Sequence, residues 1–378
     1  MKKLAIITTH PIQYNAPLFK LLSERNKIEI KVFYTWENSK DKVFDKKFGK
    51  EIKWDIPLLD GYDYTFVKNT SKNQGSHNKQ GIINPTLNSE IEEWQVDAVL
   101  IYGWNFDSHL KAMKYFKGKI PVYFRGDSTL IDELKRYKTL LRRIWLKYIY
   151  RKIDFAFYVG TNNKNYYLKH GLNESQLIFA PHAIDNDRFY DKTSEYSQKA
   201  KLWRTEIGFT ENDKVVIFVG KFEKKKNPLM LIEAAKHFEN NDDIKFLFVG
   251  NGELENEMRQ KAGKNVHFLP FQNQTQMPIV YRLGNIFCLP SLFNETWGLS
   301  VNEAMACGLP VIVSNKVGCA VDIVKDGING CIFESDNIFD LKQKLFFIEN
   351  NISNFVQNSE QIISHWNFEK IAEKIETI

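Results

Sequence analysis

Cysteine is scarce in this chain: four residues in 378, Cys288, Cys307, Cys319 and Cys331, all in the second half. None belongs to a CxxC pair, and the nearest histidine is His267. A zinc cluster or a disulfide scaffold is therefore not expected, and buried free thiols are. Long apolar runs are missing too: nothing approaches the roughly 18 residues that a membrane-crossing helix needs. The apolar stretch after Met1-Lys2-Lys3 stops at Thr8-Thr9-His10, which is short for a signal peptide and right for a first strand. The expected location is cytoplasmic, with contact at most to the inner face of a membrane. A third glycine after Gly250-Asn251-Gly252 is also lacking, which sets the dinucleotide fingerprint aside.

What is present is a surplus of positive charge, +6 at neutral pH. That balance suits anionic partners: nucleic acid, phospholipid or a phosphorylated small molecule. No ordered nucleic-acid motif accompanies the charge, so nucleic acid is not expected as a partner.

The length allows two domains, each with its own core. Apolar runs at Leu4–Thr8, Glu29–Phe33, Ala98–Tyr102, Val122–Arg125 and Phe155–Val159 alternate with helix-like stretches near Pro17–Ser23 and Asp132–Ile149. A second series comprises Val215–Val219, a helix opened by Pro228, Phe246–Val249, a helix near Leu254–Lys261, Val266–Phe268, Ile286–Leu289 and Val311–Val313. The strands are apolar enough to be buried on both faces, the mark of parallel sheets. The expected fold class is α/β: two Rossmann-like doubly wound domains whose strand ends line a ligand cleft. The predicted boundaries are 1–188, a linker over 189–212, a second domain over 213–360 and a tail helix over 361–378. The Asn-, Lys-, Ser- and Gln-rich stretch 69–80 is expected to be a loop.

Three segments of the second domain carry candidate chemistry. In Gly220-Lys221-Phe222-Glu223-Lys224-Lys225-Lys226-Asn227-Pro228 a glycine ends a strand and lets a ligand approach the backbone. Lys221 and Lys226, five positions apart on a folded-back loop, are placed to straddle a diphosphate, with a helix N-terminus helping. A solvated charge run is the competing reading. Gly250 and Gly252 make a second strand-end turn, weak evidence alone. The richest segment runs from Pro290-Ser291 through Glu295-Thr296-Trp297-Gly298-Leu299 to Glu303-Ala304-Met305-Ala306-Cys307-Gly308-Leu309-Pro310. Glu295 sits at a loop tip, where a carboxylate can accept from sugar hydroxyls. Glu303 lies in an otherwise apolar helix and needs a partner. A ribose diol, a neighbouring loop or a lysine would each serve.

This segment resembles the signature of the retaining GT-B glycosyltransferases, the group-1 or family-4 class, with its two glutamates separated by seven residues. Gly220, Lys221 and Lys226 match the family's diphosphate clamp, and Gly250 and Gly252 its second glycine turn. Pro181-His182-Ala183-Ile184-Asp185, Gly318-Cys319-Ala320-Val321-Asp322 and Asp326-Gly327-Ile328-Asn329-Gly330 follow the remaining pattern in order. The resemblance implies a GT-B fold whose C-terminal helix returns to the first domain. It also implies transfer of a sugar, with retention, from a UDP- or GDP-type donor to a glycan or lipid-linked acceptor, in surface polysaccharide or lipopolysaccharide synthesis. Lys221 and Lys226 would neutralise the leaving diphosphate, Glu303 would hold the ribose, and Glu295 with the backbone around Thr296, Trp297, Gly298 and Leu299 would meet the sugar. No metal and no cofactor are implied. The alternatives are an epimerase or phosphorylase on the same scaffold, or a silent glycan-binding protein.

Two departures concern the first domain. The loop after the first strand, His10-Pro11-Ile12-Gln13-Tyr14-Asn15, has no glycine, and Arg125-Gly126-Asp127 stands where the family often has histidine. Arg125, with its fixed donor fork, is a candidate for catalysis by phosphate or acceptor contact. His10, Asn15, Trp104 and Asp127 are acceptor-side candidates, set against structural roles for His10 and Trp104. Lys135–Lys152 carries eight basic residues and no acidic one. Its apolar stripe is expected to pack on the sheet, leaving the basic face to an anionic membrane surface.

Overall fold

The computed structural model describes residues 1–36, 43–45, 50–52, 54–76, 78–134, 136–241 and 243–378. Residues His77 of the expected loop and Lys135 of the basic stretch lie outside them.

The chain forms two compact units, the first comprising Met1–Val43, Ile56–His182 and Phe368–Ile378 and the second Phe44–Asp55 and Ala183–Asn367. In chain order the first part runs β1 (Lys3–Thr8), α1 (Ala16–Arg25) and β2 (Glu29–Tyr34). A short pair, β3 (Val43–Asp45) and β4 (Lys50–Ile52), follows. Then come β5 (Asp63–Phe66), α2 (Leu87–Glu93), β6 (Ala98–Tyr102), α3 (Asp107–Phe116), β7 (Val122–Arg125), α4 (Tyr137–Tyr150), β8 (Phe155–Tyr158), α5 (Thr161–Lys169) and β9 (Leu177–Phe179). Seven strands make one sheet in the order β5-β2-β1-β6-β7-β8-β9, and the paired strands are parallel.

The second part runs α6 (Asn186–Phe189), α7 (Glu195–Glu206), β10 (Lys214–Val219), α8 (Pro228–Ala235), β11 (Ile244–Val249), α9 (Glu255–Lys261), β12 (Val266–Leu269), α10 (Met277–Tyr281), β13 (Ile286–Leu289) and α11 (Leu299–Ala306). It continues with β14 (Val311–Ser314), α12 (Ala320–Ile323), β15 (Gly330–Phe333), α13 (Ile338–Glu349) and α14 (Ile352–Ser364). Its sheet is β12-β11-β10-β13-β14-β15, again parallel. The central strands are buried nearly end to end, which is why Val216-Ile217-Phe218-Val219 and Ile286-Phe287-Cys288-Leu289 show no polar alternation. Each sheet reverses its strand order once, between β1 and β6 and between β10 and β13. Those are the points where open α/β sheets bind ligands beyond their carboxyl ends.

Several elements differ from expectation. The stretch read as linker contains a twelve-residue helix, α7. Arg204 on it donates to the carbonyls of Leu283 at 2.7 Å and Asp213 at 2.6 Å, tying α7 to the entrance of β10. The short strands β5, β9 and β15 were too brief or too polar to declare themselves. The tail is two helices, interrupted before α15 (Phe368–Ile375). Phe368, Ile371, Ala372 and Ile375 of α15 are buried at helical spacing. Arg25 grips Glu376 with two nitrogens, at 2.5 and 2.9 Å, and the Lys2 ammonium reaches the carbonyl of Ile378 at 2.9 Å. All four cysteines are unpaired, as expected, and three are fully buried. Among the described residues no helix is long and apolar enough to cross a membrane.

Candidate functional site

The second unit's reversal point lies between the loops that follow β10 and β13, and it gathers most of the expected donor residues. Gly220 leaves β10 at φ 156°, a conformation few side chains accept. Its neighbours Gly250 and Gly252 do something other than open space for a ligand. A Cβ on Gly250 would lie 2.0 Å from the Gly220 carbonyl oxygen, and one on Gly252 2.5 Å from that of Phe222. The amides of Phe222 and Leu254 donate across the same junction, to Asn251 and Phe222, at 3.0 Å each. These two glycines therefore lock the lysine loop against the turn after β11. The lysine loop closes with a single 3-10 turn over Lys224–Lys226, and Asn227 at φ 51° with Pro228 behind it starts α8.

The turn aims Lys226 at the loop beyond β13. Its ammonium meets Glu295 Oε2 at 2.5 Å, with both side chains largely buried. The Ser291 hydroxyl donates to the same oxygen at 3.2 Å. Burial alone would raise the Glu295 carboxyl, but Lys226, then Lys225 and Ser291, outweigh it and hold it below the usual range. The Leu292 amide donates to the Lys225 carbonyl at 2.7 Å, so the two loops are also joined through their backbones. Lys221 is half-buried at the start of this loop.

Beside the ion pair, α11 begins without a side-chain cap. Gly298, at φ 96°, holds the N-cap position, and a Cβ there would press on Val317 at 3.0 Å. The Ser300 hydroxyl, in the first turn, is buried with no hydrogen-bond partner among the described residues. A capless helix start of this kind presents amides and positive dipole to an anion. Ser300, Ser291 and Tyr281 were missed by sequence reasoning, since a lone hydroxyl has no spacing signature.

Two donor-side expectations meet a different setting. Trp297, expected at the sugar, is buried: its indole N–H donates to Asn302 at 2.9 Å and its ring packs 5.2 Å from Trp366. Only its backbone can serve the site. Glu303 faces α10, where the Tyr281 hydroxyl donates to its Oε2 at 2.6 Å. The carboxylate thus has the partner that burial demands. Thr296 and Leu299 are half-buried, on either side of Gly298. The Thr296 carbonyl comes so near Gly318 that a Cβ there would meet it at 1.8 Å.

In the first unit Arg125 is corrected from catalytic candidate to scaffold. It is buried, and its two terminal nitrogens donate to the carbonyls of Ala180 and Pro181 at 2.9 Å each. Asp127 and Trp104 do come together, in a cavity of about 320 Å³ at the ends of β6 and β7 that Ser128, Arg142 and Tyr150 also line. His10 and Asn15 belong to the loop after β1 and do not line that cavity. His10 bonds Thr9 at 2.8 Å and packs edge-on against Trp36; burial pushes its pKa down to about 4, so it is neutral at pH 7. Asn15 precedes α1 without capping it. His109, absent from the expected site, is a buried strut between Thr35 and the Gly103 carbonyl.

Two parallel sheets, each reversing its strand order once, are the architecture of the GT-B class, and residues 199–362 match the family model described as glycosyl transferases group 1. Over 215 residues the chain is 30% identical to the Escherichia coli UDP-Gal:alpha-D-GlcNAc-diphosphoundecaprenol alpha-1,3-galactosyltransferase, covering 54% of each chain. It thus spans about half the length of this relative. Among solved structures, sucrose-phosphate synthase from Thermosynechococcus elongatus matches with TM-score 0.72 and 16% identity, over 100% of this chain and 98% of that one. Anabaena HepE in complex with UDP and glucose matches with TM-score 0.71 and 16% identity, over 100% and 99%. These two likenesses bear on the fold.

Proposed function

We propose that the protein transfers a sugar, with retention of anomeric configuration, from a nucleoside-diphosphate sugar of UDP or GDP type to a hydroxyl of a glycan or lipid-linked acceptor. The observation that carries this reading is the Lys226–Glu295 pair lying beside the uncapped start of α11. A scaffold protein gains nothing from burying an ion pair next to unsatisfied amides; a diphosphate site uses both.

In this reading the diphosphate settles on the amides from Gly298 and Leu299 onward and on the Ser300 hydroxyl. Lys221 and Lys226 neutralise the charge that grows on it as the sugar departs, so the lysines and the helix end supply the electrostatics without a metal ion. Once Lys226 turns to phosphate, Glu295 is released to accept from the sugar's hydroxyls. Glu303 takes the ribose, exchanging or sharing its bond from Tyr281. The departing phosphate oxygen assists attack from the same face. An acceptor carried on a diphospho-lipid is favoured by the likeness to the galactosyltransferase that uses one, and a surface glycan is the corresponding product.

Thermal unfolding in the presence of EDTA and a panel of UDP, GDP and their sugars tests the reading. A ligand at one hundred times its Kd should stabilise by about 2.7 kcal/mol. No shift with any member of the panel overturns it. An inverted product overturns the stereochemistry alone.

A further inference from the structure

Helix α10 is too short to hold itself. It has five residues, Met277–Tyr281, and isolated helices of that length do not persist in water. All five are buried, so packing keeps the helix in place. Apolar contacts are non-directional, however, and leave the exact position of the helix to its polar ties. At the back the tie is Arg282, whose terminal nitrogens donate to the carbonyls of Pro278 and Phe189 at 2.8 Å each. At the front Gln276 holds the N-cap position without a side-chain bond. The turn before it closes through the Gln276 amide on the Asn273 carbonyl at 3.1 Å.

What anchors that turn comes from 220 positions earlier in the chain. Asp55 is the last residue of the segment Phe44–Asp55 that the second unit includes. It receives the Thr275 amide at 3.2 Å on each carboxylate oxygen, and the Thr275 hydroxyl on Oδ2. Bonds to an ionised carboxylate are stronger than neutral ones. Asp55 is itself exposed and forms no ion pair among the described residues, so water could satisfy it without Thr275. The contact therefore serves the turn, not the carboxylate. Upstream, the loop is already fixed: the Phe271 amide donates at 2.9 Å to Asn251 Oδ1, inside the glycine interlock. Downstream, α10 ends at Tyr281, whose hydroxyl donates to Glu303. A turn that drifts carries the short helix and this hydroxyl with it, and Glu303 loses the bond that aims it.

We propose that Asp55 is a positioning residue of the donor site: by holding Thr275 it fixes α10, and through Tyr281 it sets Glu303 for the ribose of a nucleoside diphosphate. The proposal rests on the transfer reading for the identity of the ligand. In that reading the diphosphate is gripped by the lysine loop and the start of α11, which are tied together without Asp55. Its loss is then felt by the ribose and not by the diphosphate.

Calorimetric titration of the full chain with UDP, GDP and inorganic pyrophosphate tests this. In Asp55→Ala, whichever nucleotide the natural chain binds should bind about fivefold more weakly, and pyrophosphate as tightly as before. Asp55→Asn, which keeps an accepting oxygen, should restore most of the affinity. Thr275→Val, which removes the hydroxyl and leaves the amide, is a milder second probe, with a loss of about twofold in the same direction. Adding Asp55→Ala to Tyr281→Phe should cost nothing further, because the link to Glu303 is already cut. An equal weakening of pyrophosphate marks a general loosening of the unit and overturns the proposal; so does a full additional loss in the double variant. Nucleotide binding unchanged in Asp55→Ala overturns this inference and leaves the transfer reading standing. A natural chain that binds neither nucleotide overturns both.

Discussion

Glu295 and Lys226 hold one another in a setting where neither would rest comfortably alone. Replacing Lys226 by Gln leaves a buried carboxylate without its cation, at an expected cost of about 3 kcal/mol, and removes the nucleotide-induced stabilisation. Adding Glu295→Gln should restore most of the stability and none of the nucleotide effect. Urea unfolding of both variants checks this, and so does its pH dependence. In the natural chain the Glu295 carboxyl is depressed, so the pair's contribution is complete above the ordinary glutamate value of about 4.3 and fades as pH falls through the lower folded value. In Lys226→Gln only Lys225 and Ser291 are left to oppose burial, and the carboxyl is expected to rise. The variant should then gain stability as pH falls from 7, the reverse of the natural chain. A variant whose stability is flat between pH 7 and 5 would refute the argument.

At the scale of elements, the glycines join the loops. Gly252→Ala places a methyl 2.5 Å from the Phe222 carbonyl oxygen, so the lysine loop must shift away from the β11 turn. We expect a loss of about 2 kcal/mol in stability together with a raised KM for the donor, and little change in acceptor KM; a donor KM left unaltered would count against the interlock. What the sequence disclosed follows the same division. The long apolar strands and the helices opened by Pro228 and Gly298 were legible, because burial on both faces and proline or glycine punctuation leave local marks. The strands β5 and β15 left none, since Asp63–Phe66 begins with a charge and is exposed at its start and Gly330–Phe333 begins at a glycine, and α7 hid in a polar stretch whose helix depends on Arg204 reaching distant carbonyls. The donor loops were legible as a spaced motif. The spacing could not tell that Gly250 and Gly252 face backbone, that Trp297 turns into the core, that Arg125 binds carbonyls, or that Leu140, Leu141 and Ile144 of α4 stay exposed. All four depend on residues remote in the chain.

At the scale of the whole molecule, α15 is a part of the first unit supplied by the far end of the second. Arg25 lies close enough to Glu376 to form a two-point grip, and Lys27 adds a second cation at 3.3 Å. The Arg25 bond holds the Glu376 carboxyl below its usual range, with burial opposing and Lys27 helping. Glu376→Gln should cost about 1–2 kcal/mol at pH 7 and less at pH 3, because the natural carboxyl's contribution fades as pH falls through its lowered folded value. Chemical denaturation at the two pH values measures the difference, and an equal cost at both would show that packing of α15, not its charge, holds the end in place.

That grip has a consequence for birth on the ribosome. The first seven-stranded sheet is complete in sequence by residue 179, yet the helix that covers α1 is not made until some 190 residues later. Through all that interval the apolar flank of α1 waits uncovered, and a nascent chain halted after residue 367 should be more readily cleaved near Arg25 than the released protein.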